Sequence, residues 1–224
     1  LHLLSNTNSP TPLDVWTPSG PFVEPQLLDQ YALGYFRDIK EGEFSLEVEG
    51  FYKDIQNRID YIDGADLIAN DAIEQVILNG KARAYGLELL FRKNKGALKG
   101  WVAYTLSKSE QRTQGRTNVL GSNGQPAVET GINFGEWYNT PFDKTHDVAL
   151  FASYDLNERW NINANFIYQT GQPTNFPLGQ FEFQGLAIPF VGLRNQERLP
   201  DFHRLDVSAT LTPKRNKRKK IQSE

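Results

Sequence analysis

The sequence predicts an all-β fold: an incomplete portion of an antiparallel transmembrane β-barrel with short periplasmic turns and long extracellular loops. Three observations carry this expectation. Seven segments alternate apolar and polar side chains with the period-two rhythm of a strand that faces two environments. The connections between them alternate short and long. Aromatic residues collect at both ends of the apolar face.

The first expected strand covers 26–37, with Tyr31, Leu33 and Tyr35 on one face and Gln30, Ala32 and Gly34 on the other. The second, 43–62, sets Phe44, Leu46, Val48 and Tyr52 against Ser45, Glu47, Glu49 and Lys53. The third, 74–93, places Tyr85, Leu87, Leu89 and Phe91 opposite Gly86, Glu88 and Arg92. The fourth, 98–111, places Val102, Tyr104 and Leu106 opposite Ala103, Thr105 and Ser107. Strands follow at 144–155, 159–170 and 202–212; in the sixth, Trp160, Ile162, Ala164, Phe166 and Tyr168 face away from Asn161, Asn163, Asn165 and Gln169. The seventh sets Leu205, Val207, Ala209 and Leu211 against Arg204, Asp206, Ser208 and Thr210. Phe51, Leu90, Trp101, Phe151 and Ile167 interrupt the polar face. The only helical expectation is a short turn at 70–74.

A soluble β-sandwich also alternates, so alternation alone leaves that architecture open. Loop parity discriminates. DIKEGE, KNKGAL and LNER are short, whereas 63–74, 112–143 and 171–201 are long. Short turns at one end and long loops at the other are the pattern of an outer-membrane barrel, and a Greek-key sandwich has no reason to keep it. Aromatic placement agrees. Tyr35, Phe44, Phe91, Tyr154 and Trp160 lie beside the short turns, and Tyr31, Tyr52, Tyr85 and Tyr168 lie toward the long loops. Amphipathic rings at both rims of an apolar band suit the two membrane interfaces.

Composition bounds the function classes. Hydrophobic residues make up 39% of 224, the mean hydropathy is -0.52, and no run reaches the roughly 18 apolar residues of a membrane helix. A transmembrane strand needs only every second residue apolar. The net charge of -3 argues against a polyanion binder, and the absence of cysteine removes thiol chemistry. The chain opens on Leu1-His2-Leu3-Leu4 without methionine and closes straight after a basic run, so it is expected to be a piece of a longer protein.

VEPQLLDQYALGYFRDI and FSLEVEGFYKDIQNRIDYIDGADL resemble the late barrel of TonB-dependent receptors, especially those with a carboxypeptidase-regulatory-like N-terminal domain. ARAYGLELLFRKNKGALKGWVAYTLSKSEQR, YNTPFDKTHDVALFASYDLNERWNINANFIYQTGQP and RLPDFHRLDVSATL are similar to further segments of that group. The resemblance spans nearly the whole chain. It implies that 1–224 is part of a barrel of about 22 strands, with the plug and closing strands absent. It implies energised uptake of a scarce nutrient (a metal chelate, oligosaccharide or peptide) across a Gram-negative outer membrane, with no enzymatic step and no cofactor. The implied partners are outer-membrane lipid, the TonB complex through the absent N-terminal region, and a surface lipoprotein, but not nucleic acid. The residues themselves leave two alternatives: a secreted or surface β-sandwich that binds glycans, and a passive diffusion porin.

Candidate site residues are weighed against plainer roles. His146 in DKTHD and His203 in PDFHRLD lie near Asp143, Asp147, Asp201 and Asp206, and a metal or acid–base site can be imagined there. Ordering of the loop junctions is the plainer role. Glu47, Glu49 and Glu88 face the lumen with Lys53, Arg92, Arg204 and Asp206, an arrangement expected to form opposite-charge pairs across strands rather than a catalytic pair. KRNKRKK at 214–220 is expected to be a solvated periplasmic turn. The long segments contain Gly115, Gly121, Gly124, Gly131 and Gly135 but open no helix, so a phosphate cradle is not expected. Trp137, Tyr138, Phe176, Phe181 and Phe183 are the loop aromatics expected to contact a substrate; packing of one loop on another is the competing role.

Overall fold

The computed structural model describes residues 2–5, 14–62, 65, 73–115, 119–120, 126–127 and 131–213. Seven long strands form one antiparallel sheet: β1 (Leu27–Ile39), β2 (Phe44–Tyr61), β3 (Ile77–Lys93), β4 (Leu98–Thr113), β5 (His146–Asp155), β6 (Trp160–Gln169) and β7 (Phe202–Leu211). Each pairs with its neighbour in sequence, so the order is a simple up-and-down meander from β1 to β7. Their limits fall close to the expected ones, because a strand ends where its alternation ends. The expected basic turn at 214–220 lies outside the described residues.

The short connections close for local reasons. Lys40, Glu41 and Gly42 take left-handed backbone angles in succession between β1 and β2. Asn157 accepts hydrogen bonds from the Arg159 and Trp160 amides, an Asx turn joining β5 to β6. The long connections, 62–76, 114–145 and 170–201, all lie at the opposite end. They are not structureless. Short 3-10 segments occur at Ile73–Gln75 and Ile132–Gly135, and a hairpin joins Pro177–Phe183 to Leu186–Val191.

Register lines up the apolar face into continuous rows. Tyr35, Val48, Leu89, Tyr104, Val148, Tyr168 and His203 succeed one another across the sheet, followed by Arg37, Leu46, Phe91, Val102, Leu150, Phe166 and Leu205. Nothing in the described chain covers these rows: Phe91 is 42% exposed, Val102 39% and Leu205 63%. A sandwich core would bury them. An outward face turned to hydrocarbon leaves them bare. Stacked pairs mark its two ends, Phe44 on Phe91 at 5.7 Å and Tyr52 on Tyr85 at 6.4 Å.

The inward face departs from the expected ladder of opposite charges. Glu49 stands directly across from Glu88, a like-charged pair, and Arg204 bonds Asp206 two residues along its own strand at 2.9 and 3.0 Å. Register sets Ile167 opposite Arg204 and Asn165 opposite Asp206, so the guanidinium finds its carboxylate on its own strand. Trp101 and Phe151 pair across β4 and β5 on the same face, so part of it is apolar.

One irregularity rearranges the long-loop end. Asn57 takes a positive φ of 56° and is skipped in the β2–β3 register. Its amide Nδ2 donates to Pro25 O at 3.0 Å. An extra residue of this kind reverses the alternation beyond it. Arg58 and Asp60, which would otherwise follow Tyr52 outward, instead turn toward the lumen, with Asp60 opposite Leu78.

Candidate functional site

The bulge makes the inward rim possible, because it delivers a carboxylate to a place where two loops arrive. Asp60 Oδ2 accepts hydrogen bonds from the Tyr138 hydroxyl at 2.5 Å and from Gln111 Nε2 at 2.7 Å. Its Oδ1 accepts from Arg194 Nη1 at 2.9 Å and from the Tyr61 amide at 2.8 Å. Arg194 also donates to Tyr61 O at 2.9 Å. Tyr138 comes from the 114–145 connection and Arg194 from 170–201, so one side chain of β2 holds both. A half-buried carboxylate with four donors is stable where an unpaired one would be costly.

Around this centre the two loops fasten to each other. Asn133 and Arg194 exchange hydrogen bonds, Nδ2 to Arg194 O at 3.0 Å and Arg194 N to Asn133 Oδ1 at 2.8 Å. Asn195 Nδ2 donates to Asn139 O at 2.8 Å. Leu78, Ile132 and Tyr138 form the small apolar core beneath. Burial, reinforced by the adjacent Asp60 charge, pushes the Tyr138 phenol above its ordinary pKa, so it stays a neutral donor.

A second junction fixes the loop bases. Asp143 is buried, accepts from the Ser109 amide at 2.6 Å and pairs with Arg198, whose Nη1 also reaches Gly171 O at 2.9 Å. Asp201 accepts from the Tyr168 hydroxyl at 2.6 Å and the Gly171 amide at 2.9 Å. The Tyr168 bond, then the Gly171 amide, hold the Asp201 carboxyl below its ordinary pKa. Gly171 is packed so closely that a Cβ there would lie 1.6 Å from Leu199 O.

The five aromatics expected from sequence divide into three environments. Tyr138 is 5% exposed and spends its hydroxyl on Asp60, so it braces a loop from within. Trp137 lies on the outward side against the Arg83 and Arg112 guanidiniums, at 4.2 and 5.1 Å from its ring centroid. Phe176, Phe181 and Phe183 are exposed. Register puts Phe181 beside Ile188, Phe183 beside Leu186 and Phe190 beside Gly179, so one face of the hairpin is apolar while Gln180, Glu182 and Ala187 take the other. Gln184 and Gly185 form its tight turn, both with positive φ.

His146 stacks on Tyr104 at 6.1 Å with its Nδ1 in hydrogen-bond contact with that hydroxyl at 2.9 Å, a place in the outward aromatic row. Among the described residues no group of three His, Asp or Glu gathers as metal ligands. Sequence reasoning missed Asp60, Gln111, Arg194 and Asn195. Their contacts span up to 134 positions and left no local pattern. The hairpin was missed as well, although a signal for it exists: FEFQGLAIPF alternates about a two-residue turn.

Compared with known protein families, residues 3–221 match the model described as TonB dependent receptor-like, beta-barrel. No curated protein matches the chain.

Proposed function

The chain belongs to the TonB-dependent receptor β-barrel family, and from that premise we propose that it is wall and loops of a receptor for energised nutrient uptake. The family is one of outer-membrane receptors rather than enzymes. In this reading residues 1–224 are a partial barrel in a Gram-negative outer membrane. The two outer edges, β1 and β7, need further strands, because an open sheet edge in hydrocarbon leaves each orphan backbone group at a cost of several kcal/mol. A plug, an N-terminal carboxypeptidase-regulatory-like domain and the TonB-contacting segment come from sequence outside this chain. The TonB complex acts through them, and a surface lipoprotein caps the loops.

The single observation behind the reading is the meander itself: consecutive strands, bare apolar rows on one face, and all long connections at one end. The exposed hairpin face with Phe181 and Phe183, and Phe176 at its base, is the first contact for an incoming metal chelate, oligosaccharide or peptide. Asp60 and Asp143 anchor the loop that carries that hairpin, through Arg194 and Arg198. Aromatic faces suit all three substrate classes.

The test uses the full-length receptor in its own cells. Uptake of a ferric chelate, a mixed oligosaccharide and a mixed peptide pool is compared with and without TonB. One of these is expected to need both TonB and the receptor, and to fall when Phe181 and Phe183 are both changed to Ala. Recovery of the receptor in a soluble fraction without detergent would end the proposal.

A further inference from the structure

The hairpin of the last long connection has edges as well as an apolar face. Its strands, Pro177–Phe183 and Leu186–Val191, pair only with each other among the described residues. Gln184 and Gly185 both take positive φ, the two-residue turn that closes on a pair exchanging both backbone bonds, Phe183 with Leu186. Bonded and non-bonded pairs then alternate. Phe181 bonds Ile188, and Gly179 bonds Phe190. Glu182–Ala187 and Gln180–Pro189 are the non-bonded pairs, and their backbone groups point out of the hairpin.

The two edges are therefore unequal. On the second strand Pro189 falls in the outward set and has no N–H to offer, so a further strand cannot pair along it. On the first strand Gln180 and Glu182 each present an outward N–H and C=O, and both residues are exposed. The register shift between Pro177 and Gly179 ends this open edge at its base. An edge left open beside one that is blocked suits strand addition by an extended chain.

Side chains decide which chain fits. Phe181 and Phe183 lie on one face, backed by Leu186, Ile188 and Phe190, while Gln180 and Glu182 take the other. Glu182 is the one ionisable group between Pro177 and Val191. An anionic chelate would meet this carboxylate and no cation on the hairpin. A sugar can stack on a phenyl ring but has no alternation to match the edge. A peptide has both a backbone that bonds the edge and side chains that alternate between its faces.

We propose that the hairpin takes a short extended peptide as a third strand, antiparallel along Gln180 and Glu182. Its apolar side chains lie beside Phe181 and Phe183 and its cationic ones beside Glu182. The inference rests on the reading above that this hairpin meets the incoming substrate, and it narrows that substrate to peptide.

Fluorescence anisotropy of the full-length receptor in neutral detergent, with dye-labelled Val-Lys-Val-Lys-Val, tests it. Residues opposite Gln180 and Glu182 share their face and exchange backbone bonds with them, so the lysines carry the bonded N–H groups. N-methylation of both lysines is expected to weaken binding by about fivefold for each bond removed. N-methylation of the second and third valines, whose N–H groups face away, leaves it unchanged. Gln180→Pro removes one donor of the edge and costs about fivefold again. Glu182→Lys, a surface change that does not touch the hairpin's own bonds, turns the preference toward Val-Glu-Val-Glu-Val. Equal loss from the two methylation patterns overturns the proposal, as does binding indifferent to Glu182→Lys. A receptor dimer that Gln180→Pro disperses overturns it in favour of a second copy on this edge. Absence of peptide binding beside TonB-dependent uptake of a chelate or sugar overturns it and leaves the uptake reading standing. Recovery of the receptor without detergent ends that reading instead, which separates the two failures.

Discussion

The half of the sheet beside the short turns and the half beside the long loops share the same strands but are held by different means. Near the short turns no described side chain is fully buried; β1 and β7 are exposed along their whole length. Order there comes from backbone ladders and from the environment outside the protein. Near the long loops lie Val23, Ile59, Tyr61, Ile77, Leu78, Ala82, Ile132 and Tyr138, all buried, together with buried Gln111, Thr113, Thr140, Asp143, Arg194 and Asn195. That half carries its own core. A barrel wall thus relies on lipid to cover its outer face, whereas loops standing above lipid must bury one another.

The comparison breaks hardest at Asp60. Asp60→Ala removes the carboxylate that pairs with the Arg194 guanidinium, whose side chain is only 9% exposed, and the acceptor for Tyr138 and Gln111. Losing one partner of a buried pair costs about 3–5 kcal/mol. Hydrogen exchange is expected to rise across 131–140 and 192–198 while β5 and β6 stay protected. Equal loss of protection in the wall would mean that the two halves are not independent.

Leu89→Arg probes the other half. Leu89 lies mid-strand in the outward row between Val48 and Tyr104. A charge on the lipid face near the midplane costs about 2–4 kcal/mol. Urea unfolding in lipid vesicles should shift by that amount, with loop protection unchanged. A shift as small as for a surface site in water would argue that this face does not meet hydrocarbon.

Gly171→Ala sharpens the junction between halves. The added methyl meets Leu199 O, so the loop base must shift, at about 1–3 kcal/mol. The expected signature is faster proteolysis within 172–200 with an intact barrel.

Acidity gives the smallest effect. The Asp201 pKa is depressed by the Tyr168 and Gly171 bonds, so its stabilising contribution is present above the ordinary carboxylate range. It is lost as pH falls through the depressed folded value. Loop proteolysis at 170–201 should therefore increase below about pH 4, and Asp201→Asn should remove that increase. A pH profile identical in the two proteins would show that the junction does not depend on this carboxylate.

The strands could be read from sequence because lipid, lumen and backbone act on each residue separately. Leu87, Leu89 and Phe91 report their face by position alone. Trp137 and Tyr138, adjacent in the chain, could not be told apart in that way. One lies against arginines on the outside and the other is buried inside, and only the pairing of Tyr138 with Gln111 separates them. Opposite charges on Glu49, Glu88, Arg92 and Arg204 suggested a cross-strand ladder, but the register that would pair them belongs to the whole sheet.

Alternation and connection length alone were enough to read an antiparallel wall with an apolar outer face, its strand limits and the end that carries the long loops. Tertiary structure decided that Asn57 is skipped in the register, that Asp60 therefore points inward, and that Arg194 meets it. The physical reason is range. Alternation is a local response to two solvents, while a one-residue bulge and an ion pair 134 positions apart exist only once the strands and loops have come together.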